Sequence, residues 1–294
     1  MSAAAGHPVP EPRACVIGWP VAHSRSPLIH NYWLRHYRLA GTYDRAAVPP
    51  EELDTFLRGL GANGYVGCNV TVPHKEAAFS LIARPDAIAR RLKAVNTLWL
   101  EGGEIAGTNT DIYGFLASLD AQVAGWDAKP GAAVILGAGG AARAVAAALG
   151  ERWPGPLYIV NRSPERARRL AADLQLDARI GGQEDLAGAL AGAGLLVNTT
   201  SLGMVDQPAL EFDLSPLPRA AAVCDIVYVP LETGLLAAAR RRGHPVADGL
   251  GMLLHQAVPG FARWFGRSPE VTAGLRRYIA ADIAAALAAA GEGR

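Results

Sequence analysis

Ala132-Ala-Val-Ile-Leu-Gly-Ala-Gly-Gly-Ala-Ala-Arg-Ala-Val-Ala-Ala-Ala-Leu149 is the stretch whose reading decides the fold. Val134 to Leu136 is a short apolar run of strand length that contains the β-branched Val134 and Ile135. It breaks at Gly137-Ala138-Gly139-Gly140-Ala141-Ala142, and helix-forming alanines follow. Strand, glycine turn and helix, in that order, are what a dinucleotide-binding unit requires. Gly137 suits the tight turn, Gly139 lets main chain approach a pyrophosphate, and the small Ala142 lets helix and strand pack closely. The first-turn N–H groups and the positive end of the helix dipole then face the phosphates. In a chain rich in Ala and Gly the same pattern also suits a plain turn between core elements, so its surroundings carry the weight.

Outward from that stretch, 294 residues suffice for two domains with separate cores. Half of the residues are apolar and the formal net charge is +1, which gives no bias towards polyanions such as nucleic acid. Cys15, Cys68 and Cys224 are scattered and form no C-x-x-C pair, so we expect reduced core thiols and no metal site. Residues 1–12 are rich in Ala and Pro without the apolar centre of a signal peptide, and are expected to form a flexible tail. Arg143 interrupts the best apolar run before it reaches the ~18 residues of a membrane span. The expected location is therefore the cytoplasm, with no membrane partner. Only three of the 28 basic residues are lysines: Lys75, Lys93 and Lys129. Arginine does not release its proton near neutral pH and lysine can, so a retained lysine draws notice.

Along the chain, a strand is expected at 13–19, then a loop holding Ser24 and Ser26 and a helix at 27–37 with Ser26 as N-cap and Pro27 in first position. Strands at 43–48 and 65–71, a helix at 51–60, a short helix after Pro73, and a strand at 96–100 complete a first α/β domain. Asp111 opens the next helix. Further strands are expected at 157–160, 195–198 and 222–227, and helices at 249–265 and 270–290. The fold class is thus α/β with two domains. An N-terminal α/β substrate domain (13–110) precedes a Rossmann-type, doubly wound dinucleotide-binding domain (111–248), and the C-terminal helices (249–294) return to the first domain.

The end of the second dinucleotide strand selects the cofactor. An NAD site tends to place Asp or Glu there, on the adenosine ribose. Here the positions are Asn161 and Arg162, with Arg166 one helical turn on. Guanidinium groups without a carboxylate suit the 2′-phosphate of NADP by charge and fork geometry, although surface arginines are also common for their own sake. Lys75 falls in the first turn of a helix, where a cation opposes the dipole at roughly 0.3–1 kcal/mol. Asp111 sits at another helix start, where an acid needs no function. Were the two heads to meet at about 4 Å, their attraction of about 4 kcal/mol at an effective dielectric near 20 would outweigh that penalty. Ser24 and Ser26 offer hydroxyls for a carboxylate, and Ser26 equally reads as an ordinary cap. There is no Tyr-x-x-x-Lys pair, H-E-x-x-H motif or Gly-x-Ser-x-Gly elbow, and His23, His30 and His74 read as loop or helix-face residues.

Together these segments resemble the shikimate dehydrogenase family. The resemblance rests on Gly18-Trp-Pro-Val-Ala-His-Ser24-Arg-Ser26-Pro27, Gly67-Cys-Asn69-Val-Thr71-Val-Pro-His-Lys75, Ala94-Val-Asn96-Thr97-Leu98 and Gly107-Thr-Asn109-Thr110-Asp111. It continues through the glycine turn, Asn161-Arg162-Ser163, Asn198-Thr199-Thr-Ser-Leu-Gly-Met204, Asp225-Ile-Val-Tyr228 and Gly249-Leu-Gly-Met252-Leu-Leu-His-Gln256. It implies NADP-dependent, reversible reduction of 3-dehydroshikimate to shikimate, on the route to chorismate and aromatic amino acids. It further implies that Ser24 and Ser26 bind the substrate carboxylate, that Asn69, Thr71, Asn96, Tyr228 and Gln256 touch or border the substrate, and that Lys75 and Asp111 act on the reacting oxygen. On the cofactor side it implies Gly137 to Ala142 at the pyrophosphate, Asn161, Arg162, Ser163 and Arg166 around the 2′-phosphate, and Thr199, Gly249 and Met252 as further contacts, the last two flanking the nicotinamide. No metal is implied, the partners are small molecules, and the chain is a monomer or homodimer.

This sequence departs from the family pattern at Cys68, His74 and Thr108, and at Ile112-Tyr113, whose bulk after the aspartate bears on which ring substrate is preferred. Three other readings stay open at this point. They are a quinate or aminoshikimate dehydrogenase of the same family, a methylenetetrahydrofolate dehydrogenase-like enzyme that leaves the serine loop unexplained, and a catalytically inactive NADP-sensing module.

Overall fold

The computed structural model describes residues 11–292, which form two compact α/β units. The expected tail at 1–12 lies outside the described residues except for its last two positions. Pro12 is already tied in, its carbonyl accepting from the Thr42 N–H at 3.1 Å.

The first unit runs to Thr108 and includes Pro259–Pro269. Its elements are β1 (Arg13–Gly18), α1 (Ser26–Tyr37), β2 (Thr42–Ala47), α2 (Leu53–Arg58), β3 (Tyr65–Val70), α3 (Lys75–Leu81), β4 (Arg84–Pro85), α4 (Ala87–Leu92), β5 (Thr97–Glu101) and β6 (Glu104–Thr108). The sheet order is β2-β1-β3-β5-β6-β4, with β1 parallel to β2 and β3, and β5 antiparallel to β3. The two-residue period of a strand distributes β1 over two cores. Cys15 and Ile17 join Val48, Leu53, Leu57, Cys68, Val70 and Leu98, whereas Ala14 and Val16 join Tyr43 and Trp264 on the other face. A strand buried on both faces reads as a continuous apolar run, as Ala14 to Ile17 does.

The second unit comprises Asn109–Val258 and the chain from Glu270 onward. It contains α5 (Asp111–Gln122), β7 (Ala132–Leu136), α6 (Gly140–Arg152), β8 (Leu157–Val160), α7 (Pro164–Asp173), β9 (Ala178–Gly181), α8 (Leu186–Leu190), β10 (Ala193–Asn198), β11 (Ala222–Asp225), α9 (Gly234–Arg241), β12 (Val246–Ala247), most of α10 (Gly249–Phe265) and α11 (Ala273–Glu292). All six strands are parallel, in the order β12-β11-β10-β7-β8-β9. Taken in chain order within the unit, that is 3-2-1-4-5-6 read from β9, the doubly wound dinucleotide arrangement. The alanines of α6 follow from packing: Ala142 and Ala144 to Ala148 are buried, and only short side chains let this helix lie close to the sheet.

Two differences from the sequence reading are physical. Ser26 does not cap α1; it is the first helical residue, Arg25 takes the cap position, and no side chain caps the helix. The Ser26 hydroxyl is engaged elsewhere, as described below. The segment 249–294, expected to return whole to the first domain, is divided. Only Pro259–Pro269 packs with the first unit, and the break falls at Pro259 inside α10.

Candidate active site

In the first unit the candidate residues gather at the carboxyl edge of β1 and β3. Ser24 lies in the turn after β1, where its N–H donates to the Val21 carbonyl at 3.0 Å. Two N–H groups of Arg45, on β2, hold the Ser24 carbonyl at 2.6 and 3.0 Å. Thr71 follows β3, its N–H bonded to the Ile17 carbonyl of β1. Lys75 opens α3 as expected for a first-turn residue, is half-buried, and its carbonyl accepts from the Val95 N–H at 3.0 Å, one residue before Asn96. Because β5 runs antiparallel to β3 with Thr97 opposite Asn69, the start of β5 returns Asn96 to the same edge.

Hydrogen bonds tie Asn69 to two residues that sequence reasoning missed, Tyr43 and Thr97. Ser24 and Ser26 hydroxyls lie 3.3 Å apart. The Tyr43 hydroxyl donates to Asn69 Oδ1 at 2.5 Å. Asn69 Nδ2 donates to the Asn96 carbonyl at 3.0 Å and to Thr97 Oγ1 at 3.1 Å, and Thr97 Oγ1 donates to Asn96 Oδ1 at 2.9 Å. Both Nδ2 hydrogens of Asn69 are therefore spent inside the protein. Burial pushes the Tyr43 phenol well above its ordinary pKa, with the neighbouring Ser26 side chain opposing. Behind Tyr43, His30 stacks on the ring at 4.0 Å with an interplanar angle of 7°, and Phe261 and Trp264 close the cluster. His74 is likewise buried, its Nε2 2.7 Å from the Val48 carbonyl.

In the second unit the parallel sheet places the turns after β7, β8, β10, β11 and β12 at one edge. The order of winding reverses between β7 and β10, and ligands of open α/β sheets bind outside the carboxyl ends of the strands at such a point. Gly137 follows β7 with φ of +108°, and a Cβ there would stand 2.8 Å from Thr199 Oγ1. That hydroxyl donates to the Leu136 carbonyl at 2.6 Å and so closes the turn from the β10 side. A Cβ on Gly139 or Gly140 would meet nothing within 4 Å, and α6 opens with no acidic residue in its first turn and no side-chain cap. Ala138 and Ala141 complete that open-faced turn. After β8, Asn161 Nδ2 donates to the Ser163 carbonyl at 2.8 Å, while Arg162 and Arg166 stand exposed. The acid within this run, Glu165, pairs with Arg168 at 3.1 Å.

A buried network holds the next turns. Asp225, at the end of β11, accepts from Asn198 Nδ2 at 2.9 Å, Thr233 Oγ1 at 2.7 Å and the Val227 N–H at 3.0 Å. Burial raises its carboxyl pKa and these three donors oppose the shift. Asn198 Oδ1 accepts from the N–H and hydroxyl of Thr200, which orders the turn that carries Thr199. Tyr228 follows on the turn after β11, half-buried. Asp111 is the first residue of α5 and is buried, its N–H donating to Asn109 Oδ1 at 3.0 Å. Thr110 donates to the Gln256 carbonyl of α10 at 2.8 Å. Gly249 opens α10, with Met252 one turn on. Asp248 Oδ1 accepts from the Leu250 N–H of that first turn at 3.1 Å. The free cysteines Cys15, Cys68 and Cys224 are all buried, and among the described residues no group of three or more His, Cys, Asp or Glu side chains is arranged to hold a metal ion.

Residues 16–98 match the family model of the shikimate dehydrogenase substrate binding domain, 120–205 that of shikimate / quinate 5-dehydrogenase, and 249–276 that of the shikimate 5′-dehydrogenase C-terminal domain. A shikimate dehydrogenase (NADP(+)) from Methylocella silvestris is 56% identical over 276 residues, spanning 94% of this chain and 98% of the relative. The chain belongs to the shikimate dehydrogenase family. Among solved members, the Thermus thermophilus shikimate 5-dehydrogenase in complex with NADP(H) and shikimate is 37% identical with a TM-score of 0.82, over 92% of this chain and 99% of that one. A quinate dehydrogenase from Corynebacterium glutamicum in complex with NAD is 32% identical with a TM-score of 0.84, over 92% and 98%. Family membership thus spans both units and does not by its fold separate shikimate from quinate, or NADP from NAD.

Proposed function

We propose that the chain catalyses the NADP-dependent, reversible reduction of 3-dehydroshikimate to shikimate, a step on the route to chorismate and the aromatic amino acids. The observation that carries this reading is the edge of the second unit, where an open glycine turn leads into α6 and the turn after β8 presents Arg162 and Arg166. Those residues fit NADP. Main-chain N–H groups at a helix start and two guanidinium forks suit a pyrophosphate and a 2′-phosphate, and no carboxylate stands at 161 or 162 to favour an NAD ribose. We assign Gly137 to Ala142 to the pyrophosphate, Asn161, Arg162, Ser163 and Arg166 to the 2′-phosphate, and Thr199, Gly249 and Met252 to the rest of the cofactor. When bound, NADP(H) supplies or takes up the hydride.

The substrate ring is held through its polar groups. Ser24 and Ser26 donate to its carboxylate. Thr71, Asn96, Tyr228 and Gln256 border its hydroxyls, and Asn69 acts by fixing Asn96 and Thr97. Lys75 gives a proton to the carbonyl oxygen as the ketone becomes an alcohol, and Asp111 accepts from a neighbouring ring hydroxyl and orients it. Lysine suits this role because it can release a proton that arginine keeps. With a cytoplasmic cofactor pool and three buried thiols, the cytoplasm is the compartment we assign, with substrate and cofactor as small-molecule partners of a monomer or homodimer.

The test is initial rates with shikimate and quinate, each with NADP+ and NAD+, followed by absorbance of the reduced nicotinamide. Highest kcat/KM for shikimate with NADP+ supports the reading. Preference for quinate, or for NAD+, transfers it to the quinate branch, and tight NADP+ binding without turnover of either ring acid transfers it to a sensing module.

A further inference from the structure

The last residues of the parallel neighbours β10 and β11, Asn198 and Asp225, are register partners, and both are fully buried. Each folds its side chain over the turn that follows its own strand. Asn198 Oδ1 accepts from the Thr200 N–H at 3.0 Å, and Asp225 Oδ1 accepts from the Val227 N–H at 3.0 Å. The first of these bonds orients the Asn198 amide, because a main-chain N–H needs an oxygen. Asn198 Nδ2 then supplies the donors, one to Asp225 Oδ1 at 2.9 Å and one to the Leu202 carbonyl at 3.3 Å. The Thr200 hydroxyl donates to Asn198 Oδ1 at 2.7 Å and accepts from the Leu202 N–H at 3.2 Å. One buried side-chain bond thus joins two strand-end turns into a single hydrogen-bonded piece.

Three residues assigned to the cofactor lean on that piece. Thr199 lies inside the first turn, its hydroxyl on the Leu136 carbonyl. A Cβ on Gly137 would stand 2.8 Å from Thr199 Oγ1 and 3.0 Å from Thr200 Cγ2, so the glycine turn is packed on the same two threonines. On the other side, a Cβ on Gly249 would stand 2.7 Å from the Val227 carbonyl oxygen and closer still to that of Ile226, which seats the start of α10 on the second turn.

We infer that Asn198 and Asp225 are positioning residues for NADP: their buried pair fixes the turns after β10 and β11, and with them Thr199, Gly137 and Gly249, before the cofactor arrives. This deepens the functional reading and rests on its assignment of those three residues to the cofactor. Preordered main chain spares the cofactor the cost of ordering it, so breaking the pair weakens cofactor binding. Truncating one partner also leaves the other's polar group buried and unpaired.

The test is calorimetric titration of the full chain with NADP+. Asp225→Ala should raise the NADP+ Kd by about tenfold or more, the scale of one to two lost hydrogen bonds. In an Asn198→Ala background the same exchange should add less than about twofold, because the pair is already broken. Asp225→Asn should stay within about twofold of wild type. Its amide oxygen can face Asn198 and Val227 while its NH2 turns to Thr233, whose hydroxyl also accepts. Thr233→Val takes a donor from Asp225 Oδ2 and the side-chain cap from α9, so it should lower the thermal midpoint and leave the Kd within about twofold. An unchanged Kd in Asp225→Ala, an equal rise in Asp225→Asn or Thr233→Val, or additive effects of the two alanines overturns the inference. If Asp225→Ala does not fold, Thr200→Val decides. It deletes the hydroxyl on Asn198 Oδ1 and leaves the buried pair intact, and the Kd must rise about threefold or more. No rise overturns the inference. A wild type that binds no NADP+ overturns the functional reading together with this inference. A wild type that binds NADP+ with Asp225→Ala binding equally well overturns this inference alone.

Discussion

The hydroxyl of Thr110 donates to the main-chain carbonyl of Gln256 at 2.8 Å, which ties the start of the Asp111 helix to α10. Gly114, one turn into α5, makes that approach possible. A Cβ there would stand 2.6 Å from the Gln256 Cβ and 2.9 Å from both the Gln256 nitrogen and the Met252 carbonyl. Alanine in a helix interior gains up to about 1 kcal/mol over glycine. Forcing a methyl into a closed contact costs roughly 1–3 kcal/mol, so the steric effect wins. Gly114→Ala should lower the thermal midpoint, and should lower kcat/KM for shikimate because Asp111 and Gln256 separate. A variant as stable and active as wild type would show that α5 and α10 yield without cost.

Lys75→Ala should lower kcat by roughly 10²-fold or more, the scale of a lost proton donor, while the shikimate KM changes by only a few-fold. Lys75→Arg should not rescue the rate, since a guanidinium keeps the charge and withholds the proton. Recovery of turnover in the arginine variant would assign position 75 a purely electrostatic role.

Arg162 and Arg166 should act on one cofactor and not the other. Replacing both with alanine removes the charge-assisted donors for a 2′-phosphate and should raise the NADP+ KM by about tenfold or more, leaving the NAD+ KM within about twofold. Equal rises for both cofactors would place the arginines at a part of the dinucleotide that the two share.

His30 makes stability depend on pH. Burial lowers its pKa from 6.5 to about 3, the neighbouring Asn69 side chain opposing the shift. In the unfolded chain the imidazole takes up a proton near pH 6.5, and in the folded chain only near pH 3. Between those values the unfolded state binds more protons, so stability is complete above about pH 6.5 and is lost as the pH falls towards 3, by on the order of a few kcal/mol. His30→Phe keeps a flat ring against Tyr43 and should flatten the fall in thermal midpoint between neutral pH and about pH 4. Parallel curves for the two proteins would show that other groups cause the acid loss.

Local patterns made much of this molecule legible. The run Ala132–Leu149 sets β7, the turn and α6, because strand length, β-branched residues, glycines and alanines each act within a few residues of their own position. Gly249–Phe265 is helical over the expected range, and Lys75 stands in the first turn of its helix. Short or polar strands were not foreseen: β4, β9 and β12 are two to four residues long, and β6 carries Gly107 and Thr108. Such segments become strands because a neighbouring edge takes up their N–H and C=O groups, a long-range event with no local signature.

By itself, the sequence determined the two α/β units, the glycine turn, the arginines in place of a carboxylate after β8, and the set of polar residues that mark the family. Only the tertiary structure decided how those residues are wired. Ser26 reads as a cap and instead opens the helix, its hydroxyl 3.3 Å from that of Ser24. Asn69 reads as a substrate ligand, and its side chain also bonds Tyr43, Asn96 and Thr97. Tyr43 and Asn69 are 26 positions apart and carry no spacing rule that joins them. Buried donors and acceptors must find partners wherever the packing of two strands brings them, and that pairing is a property of the folded sheet.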